Sequence, residues 1–182
     1  MTRWVAAVGG AALVIAAWGV ALVTPDDAAA EQPFVVPVEV GDAGEGRNLA
    51  VTITGVRAAD AATIDGWVAT GPWLIVDLEA AAVESESGAL LSHATLSIDG
   101  RTFRASERPP DSLFRSALSV GVPRSGSIAF ELPEAALGDD VAVLSLGLSE
   151  DPRLDSVIEL HLEPRRLDRV EEAELVSSGW AR

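Results

Sequence analysis

The chain has 182 residues, lacks cysteine and tyrosine, and sets 28 acidic residues against 13 basic ones, all arginine, for a formal charge of −15. The missing thiol excludes cysteine nucleophiles, disulfides and thiolate metal sites, and a surface of this sign repels nucleic acid and anionic lipid headgroups. Such charge serves solubility, with an acidic face for a cationic partner or Ca²⁺ as the alternative reading.

Residues 5–23, VAAVGGAALVIAAWGVALV, carry no charged side chain. As a helix they would reach about 28 Å, close to the ~30 Å of a bilayer hydrocarbon core. Arg3 precedes the run and Asp26 and Asp27 follow it, which predicts a cytoplasmic amino terminus and residues 24–182 outside. The reading is an N-terminal stub and single-pass membrane anchor over residues 1–23, with Trp4 at an interfacial position and Trp18 too deep for one. Ala28-Ala29-Ala30 fits a small-residue cleavage site, so the alternative is a secreted protein cut near Ala30. The uncharged run exceeds the ~7–15 residues of a signal core and a single Arg precedes it, which favours a retained anchor. No cysteine follows the run, so a lipid attachment site is missing.

Residues 24–33, TPDDAAAEQP, form a small, polar, Pro-bounded linker. From Phe34 onward apolar residues recur with the strand period of two. Val51 and Ile53; Leu74, Val76 and Leu78; Ile128, Phe130 and Leu132; Leu144, Leu146 and Leu148; and Ile158, Leu160 and Leu162 each define one core-facing side, leaving the other side largely in solvent. Asp99-Gly100 is the signal of a two-residue type I′ hairpin, while Gly41 to Gly46 and Gly138-Asp139-Asp140 separate further strands. Pro109-Pro110 interrupts the chain, and Asp111 to Leu118 is expected to form one or two helical turns. About seven strands result, over 34–40, 48–57, 73–82, 93–98 with 101–105, 125–132, 141–148 and 156–163. The expected domain is an all-β antiparallel sandwich over 34–164. The tail, 165–182, suits neither period and either adds an edge strand or stays mobile.

Four segments carry a resemblance: Val51-Thr52-Ile53-Thr54-Gly55-Val56-Arg57, Gly71-Pro72-Trp73-Leu74-Ile75-Val76-Asp77-Leu78, Leu96-Ser97-Ile98-Asp99-Gly100-Arg101-Thr102-Phe103 and Gly126-Ser127-Ile128-Ala129-Phe130-Glu131-Leu132-Pro133. Their order resembles bacterial exported immunoglobulin-like domains of the telokin-like and immunoprotective-extracellular-antigen type, whose function is unassigned. The resemblance implies an immunoglobulin-like fold and an extracytoplasmic compartment. It brings no catalytic residue, because all four motifs are structural. Members of the group often carry a lipid-bearing cysteine, which this chain lacks, and a polar Asn/Asp turn where this chain has the Ser- and Glu-rich loop Glu84–Leu91.

His93 and His161 are the only imidazoles. Both are out of phase with their core-facing neighbours, so both should point outward. A metal site would need them on adjacent strands with Glu159 or Glu163, and isolated surface histidines are far commoner. No Gly-x-Ser-x-Gly accompanies them, and Arg124-Ser125-Gly126-Ser127 reads as a turn into a strand. Glu84 and Glu86 suit an exposed loop, and Gly138-Asp139-Asp140 lacks the alternating oxygen ligands of a Ca²⁺ loop. No cofactor is expected.

The remaining candidates are aromatic and cationic. Trp67 and Trp73 flank Ala69-Thr70-Gly71-Pro72 and either cover an edge of the core or present a patch to a partner, since Trp is enriched at interface centres. Arg101, Arg104, Arg108 and Arg115 concentrate positive charge around Pro109-Pro110, where such residues usually pair with nearby acids. Trp180 is a further anchor for a partner or for docking the tail. The expectation is a non-catalytic binding or scaffolding module at the cell surface. An accessory subunit of a membrane transporter or cell-envelope enzyme is the alternative, and a hydrolase the distant one.

Overall fold

The computed structural model describes residues 10, 13–20, 31–138 and 141–181. Two compact units divide the chain, 1–32 and 33–182. In the first, residues 13–20 are helical, and Leu13, Val14, Ile15, Trp18 and Val20 stand exposed. Among the described residues no helix is long and apolar enough to cross a membrane. Much of the expected anchor lies outside the described residues, as do Trp4, residues 24–30 of the 24–33 linker and the Ala28-Ala29-Ala30 cleavage site.

The second unit is a β-sandwich. Its strands are β1 (Phe34–Val38), β2 (Ala43–Glu45), β3 (Leu49–Ile64), β4 (Trp67–Ala82), β5 (His93–Ile98), β6 (Arg101–Arg104), β7 (Arg124–Glu131), β8 (Ala142–Gly147), β9 (Ser156–Leu162), β10 (Arg169–Val170), β11 (Ala173–Glu174) and β12 (Gly179–Trp180). One sheet runs β1-β9-β8-β5-β6; the other runs β10-β3-β4-β7-β12, with β2 and β11 also paired to β3. The expected count of about seven is therefore too low, because short strands fill the Gly41–Gly46 segment and the tail. The sheets are also not purely antiparallel: β1 pairs parallel to β9, and β10 and β11 pair parallel to β3.

Between the sheets lies the main core. Every residue expected to face inward is buried there, except Leu148 and Leu162, which are partly buried and pack against it. Asp99 and Gly100 both take positive φ, at 47° and 71°, as a type I′ turn requires. Asp111–Leu118 is not helical. Its Pro-bounded, turn-rich path instead inserts Leu113, Phe114 and Leu118 into the main core, and Leu113 N–H donates to Ser127 O at 3.0 Å.

The largest departure from the sequence reading is the length of β3 and β4, 16 residues each. They continue past the expected ends to a second Asp-Gly turn, where Asp65 and Gly66 have φ of 47° and 83°. Two register shifts, at Ile53/Gly55 and Ala59/Ala61, interrupt their pairing. The first leaves Thr54 as an extra residue on β3, and the second sets Asp60 of β3 against Gly71 and Pro72 of β4; each changes the relative phase of the two strands and bends the ribbon. Hence Val51 and Ile53 face the main core before the first shift, Val56 and Ala58 after it, and Ala62 and Ile64 turn to a different core after the second.

That second core covers the outer face of the β3-β4-β7 sheet. It gathers Ala59, Ala62, Ile64, Ala69, Trp73, Ile75, Ala129, Ala173 and Leu175. The outer side of β4 is thus buried rather than solvated around Trp73 and Ile75. A strand buried on both faces reads as a continuous apolar run, as Trp73-Leu74-Ile75-Val76 does. The tail completes this layer. It runs beside β3, where Leu175 N–H donates to Thr63 O at 2.8 Å, and then reaches β7, where Val176 N–H donates to Ser127 Oγ at 2.8 Å.

Candidate functional site

The Asp65-Gly66 turn delivers Trp67 as the first residue of β4. Six residues on, Trp73 donates its indole N–H to Ala69 O at 3.1 Å. A straight strand rising about 3.3 Å per residue would carry the indole well past a carbonyl four residues back. Gly71, at φ 134°, followed by Pro72, provides the bend that brings them together. The two indoles meet edge to face, centroids 6.1 Å apart and planes at 78°.

Trp73 is fully buried. Its place as a partner contact is therefore corrected: its ring packs under the tail, and bending at Gly71–Pro72 turns it away from solvent. Trp67 remains half-buried at the rim of the second core. Arg108, from the loop after β6, lies over both rings at 6.0 and 5.8 Å. Its guanidinium donates to Glu131 Oε1 at 2.6 Å, and its side chain stays 54% exposed. The structure thus joins Arg108 to the Trp67–Trp73 segment, two candidates whose proximity the sequence leaves open. The result is a cation held on the electron-rich face of two indoles with one carboxylate beside it.

The other arginines separate from this corner. Arg104 and Arg115 both approach Glu150, and Arg115 also bonds Glu107, so they pair with acids as such residues usually do. Arg101 lies over the Phe103 ring at the β5–β6 hairpin. Trp180 is exposed and carries Arg124 over its ring at 5.4 Å, joining the end of the tail to β7.

The histidines do not meet. His93 pairs with Gly147 and His161 with Val143, placing them two strands apart and four residues offset along β8. His93 is half-buried, and burial lowers its imidazole below the ordinary 6.5. His161 is exposed, beside Glu39 and Asp42 in an open groove on the β1–β9 edge. Among the described residues, no three His, Asp or Glu side chains are placed to hold a metal ion. Asp139 and Asp140 of the Gly138-Asp139-Asp140 segment lie outside the described residues.

Two polar groupings escape the sequence reading. Arg57 pairs with Asp77, Asp77 accepts from Ser127 Oγ, and Arg57 also donates to Glu174 O at 2.8 Å, linking β3, β4, β7 and the tail. The register that sets Asp77 opposite Ser127 is the signal, and it is visible only once the strands are paired. Arg169 grips Asp60 and Glu134 together, at 2.5 and 2.6 Å, and its hydrogen bonds hold the Glu134 carboxyl below its usual range.

The fold places the second unit among β-sandwich proteins. No protein-family model matches the chain, and no curated protein matches it. Its fold is similar to that of an uncharacterized β-sandwich protein from Clostridium difficile, with a TM-score of 0.50 and 10% identity over 73% of this chain and 97% of that one.

Proposed function

We propose that the chain is an exported immunoglobulin-like module of the telokin-like kind, held at the cell membrane by its N-terminal segment, which binds or scaffolds a protein partner and performs no chemistry. The observation that carries the binding reading is Arg108, exposed yet positioned over Trp67 and Trp73 and tied to Glu131. Trp and Arg are the residue types that dominate interface energetics, and a side chain ordered before contact loses less freedom on binding. The partner surface of this reading is Trp67 with Arg108; Trp73 serves as the buried support.

Anchoring is supported by the uncharged run 5–23 and the exposed apolar side chains of residues 13–20. The non-catalytic reading is supported by the residue inventory, with no cysteine or tyrosine and two separated histidines. Co-purification from membranes tests the whole. A partner should be retained by the native chain and lost from Trp67→Ala and Arg108→Gln variants that still fold. Retention by both would exclude this corner as the contact. Turnover of a model ester or peptide by the purified chain would overturn the non-catalytic reading.

A further inference from the structure

Eleven arginines are described, and ten commit their guanidinium to an acid, a carbonyl, a hydroxyl or a ring. Arg47 is the exception among the described residues. Its backbone N–H donates to Ser156 Oγ at 2.7 Å, and its guanidinium has no partner. In a chain of net charge −15, leaving one guanidinium bare runs against the supply of acids.

Arg47 borders a groove of about 350 Å³ with Asn48, Ser87, Ser149 and Asp155. Three loops meet there: the β2–β3 turn, the loop after β4 and the β8–β9 loop. They are fixed to one another. Asn48 Oδ1 accepts from the N–H groups of Glu84 and Ser85 at 2.8 and 2.9 Å, and Asn48 Nδ2 donates to Ser85 O at 2.9 Å. Gly46 approaches Ser156 so closely that a Cβ would lie 2.4 Å from its hydroxyl. Asp155 Oδ1 accepts from Ser156 N–H at 2.9 Å, which orients the carboxylate at the groove. The groove is open, more polar than apolar, and built from loops tied together by hydrogen bonds at one end of the sandwich.

We propose that this groove binds a small carboxylate that also carries a hydroxyl or ammonium donor, its carboxylate on Arg47 and its donor on Asp155. A guanidinium offers a carboxylate two parallel N–H donors. Asp155 repels an anion that brings no donor, and this repulsion supplies selectivity. The ligand is therefore a hydroxy acid, such as an acidic sugar, or a free amino acid, and the two differ in the group facing Asp155.

The test is titration of the full chain with D-glucuronate, L-alanine and acetate, read by amide chemical shifts of residues 46–48 and 85–88. Glucuronate or alanine should saturate with a Kd of about 1 mM or tighter, and acetate at least about tenfold more weakly. Arg47→Gln should weaken binding at least about tenfold, while Arg153→Gln, a nearby ion-paired arginine, should leave it unchanged. Asp155→Asn should abolish alanine binding and spare glucuronate, which separates the two ligand types. Failure of both glucuronate and alanine to saturate, equal binding of acetate, or unchanged affinity in a folded Arg47→Gln variant would each overturn the proposal.

Discussion

Trp73 shares the second core with Ile75, Ala129 and Leu175. Its truncation to Ala should cost about 3–5 kcal/mol, read as a lowered denaturant midpoint at constant slope. Phe130→Ala in the main core should cost about as much, and a loss below about 1 kcal/mol would place either ring outside a packed core. His93 supplies a pH test. Burial lowers its imidazole from 6.5, so the unfolded chain binds that proton more readily. Stability should therefore decline as pH falls below 6.5 and level off below the folded-state value. His93→Gln should remove this decline. Glu134 and Asp151 act in a lower window. Their arginine partners depress both carboxyls, so the stability they add is present above the usual carboxylate range and lost as pH falls through the folded values. A slope between pH 7 and 5 identical in His93→Gln and the native chain would contradict the assignment.

The tail is an element that neither hydrophobic period reveals. Ala173 and Leu175 are buried, whereas Arg169 holds Asp60 and Glu134 at an exposed site. Burial should therefore outweigh the ion pairs. Leu175→Ala should cost about 2–5 kcal/mol and Arg169→Gln clearly less, both read from denaturant unfolding. A larger loss for Arg169→Gln than for Leu175→Ala would reverse that ranking. Much of the sandwich was legible in the sequence because period-two runs such as Leu144, Leu146 and Leu148 report a half-buried strand directly. The second core was not. Its members come from β3, β4, β7 and the tail, and two bulges change the phase of β3 midway, so no single period spans it. The Asp65-Gly66 turn was a readable hairpin signal that would have extended β3 and β4 to their full length. At the candidate site, Trp67 and Arg108 were legible as residue types. Their meeting was not, because it depends on the bend at Gly71–Pro72 and the path of the Pro109-Pro110 loop.

At the scale of the whole molecule, an apolar N-terminal segment precedes an acidic sandwich whose Trp67–Arg108 corner is cationic and aromatic. Amino-terminal sequencing of the cell-associated protein should find the segment retained, and a mature start at Glu31 would replace anchoring with secretion. The corner itself is tested most directly from Val68, which is 58% exposed beside Trp67 at the hairpin tip. A photo-crosslinking residue placed there in intact cells should give a discrete protein adduct. That adduct should disappear in Trp67→Ala and in Arg108→Gln backgrounds that fold and export normally. An adduct that persists undiminished in both backgrounds, or none from this position in the native background, would contradict the assignment of this corner as the partner surface.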